Sequence, residues 1–300
     1  MQFFKGTNID FIGKRRISYL LSATIIMIGI ISLIYHGGPR YNIDFTGGTL
    51  IHLKFKNPVE IERVRSALSM KGYGDSEITH FGSENDILIR AGVQRSDEEL
   101  FVTIEKIISN VLLDNPFEVQ RIEKVGPKMG EELIVDAILA IFWAMLFILI
   151  YVMWRFEFKF ALGAIIALIH DVVITVGIFS LLGLEISASV IAAILTIIGY
   201  SLNDTIVVFD RIRENLKVTQ KDMSAYIGIY NKSINETLSR TIITSLTTLF
   251  VVVVLFFFGG EVLRSFAFAL IIGIIVGTYS SIFVASAFVV DWQLKKSRVK

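Results

Sequence analysis

Six apolar blocks, at 17–35, 134–154, 160–182, 186–209, 241–258 and 265–290, limit this 300-residue chain to very few folds. Each reaches the roughly 18 residues that cross about 30 Å of hydrocarbon as a helix, and the last is long enough to tilt or project. With 53% hydrophobic residues and a mean hydropathy of +0.64, the chain is too apolar for an ordinary soluble domain of its size. The expected fold class is therefore a polytopic α-helical membrane protein, a six-helix transmembrane bundle.

Orientation follows from basic residues near the spans. Lys14, Arg15 and Arg16 precede the first span, and Arg155 and Lys159 separate the second from the third. Arg211, Arg213, Lys217, Lys221, Lys232 and Arg240 lie in the expected loop 210–240, and Lys295, Lys296, Arg298 and Lys300 in the tail 291–300. All four clusters fall on one side of a six-span topology, while the short loops around Glu185 and Glu261 carry only Arg264. Both termini, including segment 1–16, are expected to be cytoplasmic. No small-residue cleavage pattern follows the first apolar run, so it reads as a retained anchor. The net charge of +1 is accounted for by topology and does not suggest nucleic acid. A chain without cysteine excludes disulfides, thiol catalysis and zinc-thiolate sites. Its four well-separated histidines form no metal-ligating pattern, and no cofactor is expected.

Residues 36–133 have globular composition, with 12 Lys/Arg against 16 Asp/Glu. Gly48–Phe55 reads as a strand, and Asn57-Pro58 as the start of a helix with Ile61, Val64 and Leu68 on one face. Ser76–Phe81 and Ile87–Arg90 read as strands around a turn at Ser83-Glu84-Asn85-Asp86. Ser96 with Glu99 makes a capping box for a second helix with a stripe of Leu100, Ile104, Ile107 and Val111, and Phe117–Val125 supplies a last strand. The order β-α-β-β-α-β is that of a small α+β ferredoxin-like sandwich, here periplasmic and between spans 1 and 2. It is a binding module or a packed spacer. The flanking segments bearing Gly47-Gly48 and Gly126-Pro127 with Gly130 are each either a hinge or a plain tight turn.

Inside the spans, polar residues form stripes. Gly163, Ala167, Asp171 and Thr175 recur at four-residue steps in the third. Asp171, next to His170, lies about 11 residues or roughly 16 Å from either end of its span, close to the midplane. A carboxyl group there costs roughly 3 kcal/mol and marks either an ion or proton route or a neutral acid bonded to His170 or a neighbouring helix. Hydrocarbon disfavours its charged form, which suits it to exchange a proton as water reaches it from alternate sides. In the fourth span Ser189, Ala192, Thr196, Gly199 and Asn203 make a second stripe, continued by Asp210. Asn203 and Asp204 approach the cytoplasmic boundary, where water or helix-helix bonding accounts for them. Arg211 is either a topology determinant or the positive charge nearest an inward-facing carboxylate. Thr241, Thr244, Ser245, Thr247 and Thr248 open the fifth span, lining water or bonding their own backbone. The sixth carries Ala269, Gly273, Gly277, Ser281 and Ala285, most simply a helix-packing face.

The 17-residue segment 199–215, Gly-Tyr-Ser-Leu-Asn-Asp-Thr-Ile-Val-Val-Phe-Asp-Arg-Ile-Arg-Glu-Asn, closely resembles the fourth-span signature of the SecF side of the SecD/SecF protein-export family. Asp44-Phe45-Thr46-Gly47-Gly48, Val125-Gly126-Pro127 with Gly130 and Leu133, His170-Asp171, Phe258-Gly259-Gly260 and the stretch Gly273 to Ala287 resemble further motifs of that family, although Asn42 stands where many members have glycine. The resemblance implies a place in the resistance-nodulation-division superfamily and in the bacterial inner membrane. It implies SecD as partner, assembly with the SecYEG channel and often YajC, and a preprotein substrate. In that picture a proton or sodium gradient moves the outer domains to complete translocation. The ion relay would comprise Asp171, His170, Asn203, Asp204, Asp210 and Arg211. No nucleotide-binding loop or nucleophile-base pattern is visible, so no enzymatic activity is expected. The competing readings are an ion-coupled small-molecule or lipid exporter of the same superfamily and a passive translocon scaffold.

Overall fold

A computed structural model describes residues 7–70, 73, 76–91, 100–218 and 225–298. It divides into two compact units, residues 41–138 and residues 1–40 with 139–300.

The smaller unit is an antiparallel sheet covered by two helices. Strands β1 (Gly48–Phe55), β2 (Glu77–Phe81), β3 (Ser83–Ala91) and β4 (Phe117–Val125) lie in the order β2-β3-β1-β4. Ile51 pairs with Ile89 on one side of β1 and with Ile122 on the other. Helices α3 (Ile61–Ser69) and α4 (Leu100–Val111) cover one face; the one-turn helix α2 (Ile43–Thr46) precedes β1. Alternate residues of β1 and β3, among them Ile51, Leu53, Ile87 and Ile89, meet Val64, Leu68, Ile104 and Ile108 in the core. This is the ferredoxin-like order of the sequence reading.

Three local expectations differ. The hairpin turns at Gly82, whose φ of 82° suits glycine, and Ser83–Asp86 belong to β3. Helix α3 begins at Ile61 because Val59 is buried and its N–H donates to the Glu84 carbonyl at 3.2 Å, which holds the chain extended after Pro58. On α4 the buried stripe includes Ile108 and continues to Leu112, leaving Val111 exposed. The capping box at Ser96 and Glu99 lies outside the described residues.

The larger unit is helical: α1 (Arg15–Tyr35), α5 (Pro127–Arg155, which begins in the smaller unit), α6 (Phe158–Leu181), α7 (Ala188–Val218), α8 (Ala225–Phe258), α9 (Gly260–Ser280) and α10 (Ser286–Arg298). A π-turn at Ser281–Ala285 joins α9 to α10 and interrupts the sixth span. Among the described residues six helical stretches are long and apolar enough to cross a membrane. Much of the expected loop 210–240 is helical, since α7 and α8 project well past the apolar blocks. Phe156, Phe160, Phe209, Tyr230 and Val289 centre one core. Elsewhere small residues set the spacing. A methyl group on Gly29 of α1 would stand 3.0 Å from the Cα of Gly177 on α6, so these helices cross nearly in backbone contact.

Candidate ion-coupling site

The third-span stripe faces inward. Gly163, Ala167, Asp171 and Thr175 are all buried, and Asp171 is fully so at 0% exposure. Three helices supply its partners. Oδ1 lies 2.9 Å from His170 Nδ1, and Oδ2 accepts from Ser201 Oγ of α7 at 2.6 Å and Ser280 Oγ of α9 at 2.8 Å. His170, also buried, places Nε2 3.0 Å from Ser22 Oγ on α1. Its ring stacks on Tyr279 with centroids 6.0 Å apart and planes at 25°.

A second acid sits one turn along α7 from Ser201. Buried Asp204 accepts from Ser245 Oγ of α8 at 3.3 Å, and Ser245 lies 2.7 Å from Thr278 Oγ1 of α9. Hydroxyl groups either donate to a carboxylate or accept from a carboxylic acid. Both acids can therefore change protonation state by turning O–H bonds, with the helices left in place. That is the chemistry available here: holding and passing a proton or accommodating a small cation.

The other expected relay residues lie elsewhere. The stripe Ala192, Thr196, Gly199 and Asn203 is on the exposed side of α7, whose buried face is Ala193, Ile197, Ser201, Asp204 and Val208. Asn203 thus points away from Asp171. Arg211, read as a counter-charge for an inward carboxylate, instead donates to Glu236 and Glu214, each at 2.6 Å. Asp210 pairs with Arg155 at 3.3 Å. These ion pairs tie the projecting ends of α5, α7 and α8 together.

The glycines divide by role. Gly47 and Gly48, with φ of 69° and 128°, end α2 and start β1 in backbone conformations that favour glycine. Asn42 caps α2 by accepting from Asp44 N at 2.8 Å. A methyl at Gly130 would overlap the Phe45 carbonyl, so this position is a close backbone approach. Gly126 has open space around it, and the Pro127 side chain lies outside the described residues. On α9 a methyl at Gly273 would overlap Ile197, and one at Gly277 would stand 3.0 Å from Ser201 Cβ and 3.5 Å from Asp171 Oδ2. Fifth-span Thr244, Thr247 and Thr248 donate to their own helix carbonyls.

Sequence reasoning missed Ser22, Ser201, Tyr279 and Ser280. A signal existed in the first span, where Ser18, Ser22, Gly29 and Ser32 are its buried residues at helical spacing.

The family described as Protein export membrane protein SecD/SecF, C-terminal, matches residues 104–295. The chain belongs to the SecD/SecF family. It is 52% identical over 289 residues to the protein translocase subunit SecF of Desulfurispirillum indicum, covering 95% of this chain and 92% of that one. The SecF of Vibrio alginolyticus is 44% identical over 294 residues, covering 97% and 92%. Among solved structures, the SecDF of Thermus thermophilus superposes with a TM-score of 0.87 at 41% identity, over 98% of this chain and 40% of that one. A SecDF crystal structure described as a super-membrane-facing form gives 0.72 at 40% identity, over 100% and 40%. This SecD/SecF-family chain thus spans about two fifths of those SecDF chains.

Proposed function

We propose that the chain is an accessory subunit of the bacterial Sec protein translocase that, with SecD, uses the transmembrane ion gradient to drive late preprotein translocation and release. The observation that carries this reading is the His170–Asp171 pair, buried where α1, α6, α7 and α9 meet and bonded by hydroxyls from three of them. A buried ionisable group held by several helices is what an ion-coupled movement requires. One elementary charge crossing 100 mV releases about 2.3 kcal/mol, enough to bias a two-state movement more than tenfold.

The exposed stripe on α7 supports the pairing with SecD. Small residues and an amide directed at lipid waste close packing and leave Asn203 without polar surroundings, whereas a second helical half would cover both. The solved SecDF chains contain this fold in 40% of their length, leaving room for such a half. Association with SecYEG and YajC, an inner-membrane location, cytoplasmic termini and a periplasmic sheet domain belong to the same proposal. The loop basic residues support that orientation.

The test is gradient-dependent completion of preprotein transport in vesicles carrying this chain with SecD. Asp171→Asn is expected to abolish the stimulation by the gradient while leaving assembly intact. Unchanged stimulation would leave only the passive scaffold. Copurification with small-molecule efflux components in place of SecD and SecYEG would favour the exporter.

A further inference from the structure

Hydrogen-bond directions around His170 are fixed from the far end inward. Tyr279 Oη donates to the Ser18 carbonyl at 2.9 Å, and a phenol has one proton to give. Its 3.1 Å contact with Ser22 Oγ is therefore donated by Ser22. With that proton committed, Ser22 accepts at its 3.0 Å contact with His170 Nε2, which places a proton on Nε2. A single proton then lies between His170 Nδ1 and Asp171 Oδ1, 2.9 Å apart. It belongs to a carboxylic acid facing a bare nitrogen or to an imidazolium facing a carboxylate. Either assignment leaves the pair neutral overall, the state a low-dielectric interior tolerates.

We propose that Ser22 and Tyr279 are positioning residues that report the proton content of the His170–Asp171 pair to α1. This rests on the ion-coupled reading above and adds a direction to it. When the pair releases one proton, the remaining imidazole proton sits on Nδ1 against the carboxylate and Nε2 becomes an acceptor. Ser22 turns its O–H to Nε2, and Tyr279 turns its O–H to Ser22. The Ser18 carbonyl then loses the Tyr279 bond, so the tether between α9 and the α1 backbone exists only while the pair holds its proton. One proton leaves, and every other hydrogen stays within the chain of four side chains. The stacked rings of His170 and Tyr279, and of Tyr279 and Phe283 at 5.1 Å, keep the phenol in place while its hydroxyl turns. The other groups facing the pair are the hydroxyls of Ser201 on α7 and Ser280 on α9, both on Oδ2.

The experiment is nitrogen NMR of the full chain, labelled at histidine and reconstituted with SecD, with the His170 signals assigned among the four histidines by their loss in His170→Gln. The wild type is expected to carry a proton on Nε2 at neutral pH, as the neutral ring or as imidazolium. Ser22→Ala and Tyr279→Phe are expected to lower the fraction protonated at Nε2 severalfold, while Ser22→Thr keeps the wild-type fraction. A wild-type Nε2 without a proton, or an unchanged fraction in both variants, overturns the proposal. In the transport assay Tyr279→Phe is expected to displace the pH profile of gradient stimulation; a profile merely scaled down overturns it too. If the Nε2 fractions fail while Asp171→Asn still abolishes stimulation, only this inference falls. If Asp171→Asn is without effect, the ion-coupled reading falls with it.

Discussion

Gly273 shows how much a single missing side chain decides. Its α carbon lies so close to Ile197 that a methyl group there would overlap three atoms of the isoleucine side chain. Gly273→Ala is expected to cost about 1–3 kcal/mol through overpacking between α7 and α9. Ile197→Ala in the same chain should return part of that loss, because it removes the atoms in conflict. Denaturant unfolding of the two single variants and the double in detergent checks the non-additivity. Gly277→Ala presses at 3.0 Å on Ser201, whose hydroxyl donates to Asp171, so it should lower gradient stimulation more than stability. The stripe of small residues was legible in the sequence as spacing. Which of its members guards a packing contact and which borders the carboxylate was not, because that depends on the facing helix.

At the scale of elements, residues before α1 are strapped to α8. Phe11 and Ile12 are buried, Asn231 Oδ1 accepts from Ile12 N at 2.9 Å, and Asn235 bonds both the N–H and the carbonyl of Ile9. Asp10 accepts from Gly13 N and from Asn231 Nδ2, and these donors hold its carboxyl below the ordinary 3.8. A depressed carboxyl contributes stability above its unfolded value that is lost as pH falls through the folded one. Hydrogen exchange over residues 9–13 should therefore stay protected from neutral pH down to about 4 and rise only in stronger acid. Asn231→Ala should expose the same amides at neutral pH. The helical extension of α8 that carries both asparagines was read as loop, because polar residues beyond an apolar block give no hydropathy signal. By contrast the strands β1 and β4 matched their sequence bounds, since apolar and polar residues alternate from Ile51 to Phe55 of β1 and along much of β4.

For the whole molecule, the informative fact is which surface is left over. The exposed face of α7 carries the small and polar stripe, while α1 and α5 expose large apolar residues such as Ile17, Leu20, Phe142 and Phe147 that suit lipid. Because the natural chain has no cysteine, a single Cys at Thr196 or Gly199 is a clean probe. Its reaction with a membrane-permeant maleimide should fall severalfold when SecD is coexpressed, whereas a Cys at Phe142 should react alike with and without it. Equal protection at both positions would remove the α7 face as the covered surface.

Length and hydropathy alone determined the six spans, the separate sheet unit and the presence of an acid deep in the third span, because these follow from local composition measured against the thickness of a bilayer. Tertiary structure decided which face of α7 turns inward, that Arg211 serves Glu236 and Glu214, and that Ser22 and Tyr279 complete the site. The physical reason is that a membrane helix can be apolar on every side. Once lipid and protein interior look alike to a side chain, periodicity no longer marks the buried face, and only the close fit between helices assigns it.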